Sequence, residues 1–252
     1  MSRARFKAIS LTAIILTFAS FSVLPLRATA DDDATIARSL ADMLRAARQV
    51  ISNNQARIND PNLGDKGLSG HVVLEQAIEI YKKNTGTDPA SIDPHSRHGK
   101  LLRAQMDSIV EATDAHQATI NAKGVGFKAF IPAVFARLVN EAFDNRARTE
   151  AHVKVTAPEQ LVRNRKARPD AWERDVIRNK LLQADWPRGQ AFSAETQEKD
   201  QKAFRMMMPE YYASSCLSCH GSPKGETDIT GYPKEGGKEG DLGAVISVTL
   251  FK

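Results

Sequence analysis

Two cysteines and a histidine form the most informative chemical pattern in the sequence. Cys216 and Cys219 are separated by two residues, and His220 follows directly. This spacing is typical of covalent c-type haem attachment, because within one helical turn both thiols can form thioethers while the imidazole is delivered to the iron. The chain has no other cysteine. We therefore predict one covalent haem c, with His220 as the proximal iron ligand.

Three other kinds of site use the same residue types. A zinc site needs four ligands, usually as two separated pairs, and the sequence has no second cysteine pair. A thioredoxin-like redox pair lies at a strand-to-helix junction of a βαβ unit, which the surrounding sequence does not resemble. A structural disulfide leaves His220 without a role. Haem attachment is the interpretation that uses all three residues.

The N-terminal 30 residues have the pattern of a secretory signal peptide. Basic residues precede an uncharged apolar run over 9–26, and Ala28 and Ala30 form an A-x-A cleavage pattern. The alternative is an uncleaved anchor, because the run approaches the length that spans a bilayer. Pro25 and the small residues after it favour cleavage. Bacteria attach haem through thioethers outside the cytoplasmic membrane, so a signal over 1–30 and the CxxCH motif together predict a periplasmic protein.

The charge of the mature chain gives no indication of a nucleic-acid partner. The formal net charge is +5, from 35 basic and 30 acidic residues. Four of the basic residues lie in the predicted signal, which leaves 31 against 30 acids, or +1. This near balance does not favour nucleic-acid binding. No second apolar run is long enough to cross a membrane, so we expect a protein that does not span the membrane once the signal is cleaved.

Apolar residues at intervals of three and four predict four helices in residues 31–148. The first ends before Pro61, and the others cover about 72–83, 100–120 and 131–145. Met106 and His116 lie on the predicted buried stripe of the third helix. Each is either an ordinary core side chain or an iron ligand. They cannot both bind one iron, because ten residues of helix separate them by about 15 Å.

A five-residue pattern occurs twice in this helical region. Residues 55–59 read QARIN and residues 117–121 read QATIN, and glycine and lysine follow each copy. Two copies do not predict a solenoid. The second copy leads into 123–128, which superficially resembles a phosphate loop. It lacks both the preceding strand and the full loop pattern, so nucleotide binding is not predicted.

The pattern changes at about residue 148 from helical to largely extended. We predict strands around 153–155, 190–194, 203–208 (ending at Pro209) and 244–250. A short helix begins near Asp170, which can form a capping box with Glu173. In the third strand, Met206 and Met208 are expected to point away from Met207.

Two loops complete the second half of the chain. Arg163, Arg165 and Arg168 lie in a predicted solvated loop, or alternatively face haem propionates or a partner. A long glycine-rich loop follows the CxxCH motif, and loops of this length are often functional.

Four longer segments are more specific together than the CxxCH motif alone. They are 124–135 (GVGFKAFIPAVF), 162–173, 216–223 and 240–248. In these segments the chain resembles the c-type haem PAS-like domain family, long catalogued as a domain of unknown function. The resemblance implies an α+β fold, in which an antiparallel PAS-like sheet (149–252) carries haem c and a helical N-terminal region (31–148) packs on it.

The resemblance also implies a function. Members act as periplasmic redox or small-ligand sensors, some as the input domain of a chemoreceptor or kinase. Because the sequence stops one residue after Phe251 of the final strand, we expect sensing through a separate partner, either a redox protein or a signal-transducing membrane protein. A periplasmic electron-transfer cytochrome c is the alternative. An enzyme such as a peroxidase is not favoured, because no distal acid–base pair can be assigned.

In at least one member of the family the distal iron ligand is a cysteine from the N-terminal part. This chain has no third cysteine, so its distal ligand is either a different residue or absent. We expect a methionine or histidine on the helices instead. The candidates are Met43, Met106 and His116, ahead of the cluster Met206–Met208.

Overall fold

The computed structural model describes residues 1, 30–147, 149–198 and 200–252. The predicted signal peptide, apart from Met1 and Ala30, lies outside these residues. The described chain has an α+β fold, in which a helical half precedes a four-stranded antiparallel sheet. No helix in the described ranges is long and apolar enough to cross a membrane.

The first half of the described chain is helical, as the apolar spacing predicts. Its helices are α1 (Ala30–Asn53), α2 (Gln55–Ile58), α3 (Gly70–Thr85), α4 (Arg97–Asp114), α5 (Gln117–Ile120) and α6 (Pro132–Ala147). The Oγ of Ser69 accepts a hydrogen bond from the amide of Val72 and so caps α3 at its start. Gly86 ends α3 in the left-handed conformation, with φ of +72°.

The predicted third helix is wrong in its length. It ends at Asp114, and a separate turn, α5, follows. At this turn the Nε2 of Gln117 donates to the carbonyl oxygen of Leu68, 2.9 Å away. The turn thus coincides with a contact between α5 and a distant loop, which periodicity does not reveal.

The repeated pattern in the sequence corresponds to a structural repeat. The Oδ1 of Asn59 accepts from the amide of Lys128 at 3.1 Å, and the Oδ1 of Asn121 accepts from the amide of Lys66 at 2.9 Å. Each lysine follows its own asparagine by seven residues. Each copy of the pattern therefore binds the loop of the other copy.

The helices around the pattern repeat with the same offset. α3 starts at 70 and ends at 85, and α6 starts at 132 and ends at 147, so both ends are 62 residues apart. Gly67 and Ala129 are also 62 residues apart, and both are left-handed, with φ of +58° and +56°. The helical half is thus two copies of one helix–loop–helix unit that hold each other through reciprocal hydrogen bonds.

The reciprocal bonds lead to a stability prediction. Asn121→Ala removes the acceptor from the amide of Lys66, a fully buried residue. We expect a loss of about 1–3 kcal/mol in the free energy of unfolding, because a buried donor is left unsatisfied. Denaturant unfolding measures it, with Asn62→Ala as control, since Asn62 is exposed in the same region. Equal stability of the two variants would contradict the role of Asn121.

The sheet consists of β1 (Ala151–Thr156), β2 (Phe192–Glu198), β3 (Gln201–Tyr211) and β4 (Leu242–Phe251). Its strand order is β1-β4-β3-β2, and each neighbouring pair is antiparallel. The predicted end of the third strand at Pro209 is wrong, because Pro209 pairs with Val245 of β4. The pairing of β2 with β3 stops at Met207. A proline is tolerated beyond that point, where β3 is paired on one side only.

The two faces of the sheet pack against different parts of the chain. Met206 and Met208 face a core shared with α1 and α6, whereas Met207 lies in a second core with Val245. The opposite orientation of these methionines confirms the strand prediction. The second face is covered by α7 (Ala171–Val176) and the π-helical turn that follows it. The capping box of Asp170 and Glu173 at the start of α7 is confirmed.

Candidate functional site

The CxxCH motif lies immediately after β3. A 3₁₀ turn, Ser214–Cys216, leads into α8 (Leu217–His220), so all three reactive residues lie on about two short helical turns. Both cysteines are free and half-buried. The structure therefore presents two thiols and an imidazole together, with no disulfide between the thiols.

Contacts to both the ring and the backbone of His220 fix its position. Its Nδ1 lies 2.9 Å from Oε2 of Glu235, and its ring stacks on Tyr212 with centroids 5.0 Å apart and planes at 18°. The carbonyl oxygen of His220 accepts from the amide of Gly237 at 2.8 Å. The loop after the motif thus folds back over the histidine and restricts both the position and the plane of its ring.

The partner of Nδ1 decides which ring nitrogen carries the proton in the neutral ring. Burial tends to raise the pKa of Glu235, but hydrogen bonds from Arg163 and His220 outweigh it and bring this pKa below its ordinary value. An ionised carboxylate only accepts hydrogen bonds, so Nδ1 carries the proton. In the neutral ring the lone pair is then on Nε2, which makes no hydrogen bond to any described residue. Metal-binding histidines commonly have this arrangement.

Arg163 connects the motif to two carboxylates. Its Nε donates to Oε1 of Glu235 at 2.8 Å and its Nη2 to Oε2 at 3.1 Å, a two-point contact. The same Nη2 donates to the carbonyl oxygen of Cys219 at 2.9 Å. The prediction of a solvated loop is therefore wrong for Arg163, whereas Arg165 and Arg168 are exposed. The sequence positions of the three arginines do not indicate that Arg163 differs from the other two in its exposure.

Asp228 anchors the other side of Arg163. Its side chain is fully buried, and Oδ2 accepts from Nη1 of Arg163 at 2.7 Å. Its Oδ1 accepts from the amide and hydroxyl of Thr230 and from the amide of Tyr232. Burial opposes ionisation, but these hydrogen bonds outweigh it and hold the pKa of Asp228 well below its ordinary value. The carboxylate thus organises the glycine-rich loop around the motif.

Tyr212 lies in a narrow slot beside His220. A Cβ atom on Gly237 would come within 2.6 Å of its ring, and one on Gly243 within 2.3 Å, so both positions require glycine. The hydroxyl of Tyr212 is buried, and no hydrogen-bond partner is found for it among the described residues. Burial raises the pKa of Tyr212 to about 12. A buried hydroxyl without a partner is costly, which fits a bound group that supplies one.

The three favoured candidates for the distal ligand, Met43, Met106 and His116, are all in the helical half. Met43 is fully buried in the shared core, and Met106 is half-buried at its edge. The Nδ1 of His116 lies 2.8 Å from the carbonyl oxygen of Ala112, and its ring packs on Phe130. Within the described ranges, no hydrogen bond, ion pair or ring contact connects any of the three to the CxxCH motif. The structure thus brings together Cys216, Cys219 and His220, whereas Met43 and Met106 lie in or against the shared core and His116 contacts Ala112 and Phe130.

A charged cluster links α1 to the strand end that leads into the motif. Glu210 accepts from Nε of Arg45 at 2.6 Å and from Nη1 of Arg48 at 2.8 Å. Asp42 is the second carboxylate of the cluster, through Nη1 of Arg45. Burial raises the pKa of Asp42, although the neighbouring arginines oppose it. No local pattern in the sequence indicates this cluster, because its arginines and Glu210 are more than 160 residues apart.

Comparison with known families matches residues 27–250 to the Tll0287-like family. The chain belongs to the Tll0287-like family. The matched range includes the helical repeat, the whole sheet except Phe251, and the CxxCH motif. No curated protein and no solved structure matches the chain. In the described ranges, no cluster of three or more His, Cys, Asp or Glu residues is placed to hold a metal ion.

Proposed function

We propose that this member of the Tll0287-like family is a c-type haem protein. Cys216 and Cys219 would hold the haem through thioethers, and Nε2 of His220 would bind its iron. The observation that carries the proposal is that Glu235 fixes the ring proton of His220 on Nδ1, which leaves the lone pair on Nε2. The free thiols and the unpartnered hydroxyl of Tyr212 also fit such a group.

The residues of the chain have separate roles at this site. A bound haem supplies one-electron chemistry and, where its sixth position is open, binding of a small ligand. Glu235 holds the proton on Nδ1 and keeps Nε2 free. Tyr212 restricts rotation of the ring through stacking, and Arg163 fixes Glu235 in place.

We further propose that the protein is a periplasmic redox or small-ligand sensor that acts through a separate redox or membrane-bound signalling partner. The signal-like pattern of 1–30 and the compartment of thioether formation support the location. The four-stranded antiparallel sheet, with the motif directly after β3, supports a PAS-like haem domain. The proposed activity is binding at the iron and not enzymatic turnover. An electron-transfer cytochrome is the alternative.

The first experiment is an absorption spectrum of the protein exported in cells that can mature c-type cytochromes. We expect colour that stays with the protein after acid–acetone extraction, because thioethers are covalent, and rapid carbon monoxide binding in the reduced form. A colourless protein would contradict the haem proposal. Retained haem that does not bind carbon monoxide would contradict the small-ligand sensor and favour the electron carrier, since a strong sixth ligand would then be present.

A further inference from the structure

Glu235 is placed to do more than orient the proximal ring. Its Oε2 contacts Nδ1 of His220 at 2.9 Å, and its side chain is only 15% exposed. A charge acts more strongly in such a partly dry environment than it does in water. The carboxylate is therefore a direct electrostatic neighbour of the imidazole.

The charge of Glu235 is not cancelled by its other partner. Arg163 is shared between two carboxylates, because it also pairs with the fully buried Asp228. Two negative groups thus surround one guanidinium, and this triad (Arg163, Asp228 and Glu235) has a formal charge of −1. Of the triad, it is Glu235 that contacts the ring of His220.

We propose that Glu235 is a positioning residue that lowers the reduction potential of the haem through His220. The proposal rests on the haem function proposed above. An electron added to the iron removes one positive charge, and a neighbouring net negative charge stabilises the more positive, oxidised state. A carboxylate on Nδ1–H also makes Nε2 a stronger donor to the oxidised iron. The partner that reduces this protein must therefore be a stronger reductant than the same haem would need without the charge of Glu235.

Glu235→Gln tests the proposal in the holoprotein. The amide oxygen can still accept from Nδ1–H, so the ring remains supported while the charge is removed. We expect the equilibrium with a one-electron redox dye to shift towards the reduced protein by about tenfold, or about 59 mV. The measurement is a spectroscopic redox titration at fixed pH and salt concentration.

Glu226→Gln is the matched control. It removes one negative charge from the same loop, at an exposed residue that pairs with Lys234 and does not contact His220. We expect the potential of this variant to stay close to that of the wild type. Equal shifts in the two variants would show a general charge effect and overturn the specific role of Glu235.

A measurement on the wild type makes the test independent of the folding of any variant. In the oxidised, cyanide-bound protein, the Nδ1 proton of His220 should exchange slowly with deuterated solvent, because a half-buried carboxylate holds it. Fast exchange would overturn the inference. A haem-bearing Glu235→Gln protein with wild-type potential would also overturn it and leave the proposed function intact. A wild type without haem would instead contradict the function itself.

Discussion

Replacing Cys216 and Cys219 together by alanine is expected to abolish covalent haem attachment. Each thioether needs a sulfur, and the chain has no other cysteine that could substitute. Each single variant should keep one thioether and show a shifted reduced spectrum. Haem staining on a denaturing gel and acid–acetone extraction measure the loss. We expect the double variant to keep its fold, with a change in the free energy of unfolding of about 1 kcal/mol or less, because both thiols are half-buried and form no disulfide.

Matched controls lie within the same short segment. Ser214→Ala and Ser218→Ala change neighbouring side chains of similar size and should leave attachment intact. His220→Ala should retain both thioethers but change the oxidised and reduced spectra, because the proximal ligand is lost. Haem that remains bound through denaturation in the double cysteine variant would contradict the assignment of both thiols.

Local signals in the sequence were sufficient to predict most of the helices and strands. α3 and α6 follow from apolar residues at helical spacing, and the capping box of α7 follows from Asp170 and Glu173 three residues apart. These features depend on neighbours within one or two turns. The predictions are wrong where the structure depends on a contact between distant residues. Pro209 is an example, because β3 tolerates a proline where β2 does not pair with it.

The same limit applies to the candidate site, because only those of its residues that are close together in sequence form a recognisable pattern. The CxxCH spacing identifies Cys216, Cys219 and His220 because the three residues are close in sequence. Glu235 and Arg163 are 72 residues apart, and only the folded loop brings them together behind the histidine. The QARIN and QATIN copies were visible in the sequence, but their reciprocal binding required the path of both loops.

The second large effect is expected from Asp228. Asp228→Asn keeps the shape of the side chain but removes the buried charge that faces Arg163. Removing one partner of a buried ion pair costs about 3–5 kcal/mol. We expect a loss near the lower end of this range, because Arg163 keeps its two bonds to Glu235. Denaturant unfolding at neutral pH measures the loss, with the exposed Glu239→Gln in the same loop as control.

The same residue makes stability depend on pH in a defined direction. The pKa of Asp228 in the folded protein lies below its ordinary value, so the unfolded chain binds this proton more readily than the folded one. The stabilisation is therefore complete well above the ordinary pKa and is lost progressively as the pH falls below about 5. Asp228→Asn should lower stability at pH 7 and flatten the acid dependence. An acid dependence as steep as in the wild type would place the responsible carboxylates elsewhere, since the substituted amide does not titrate in this range.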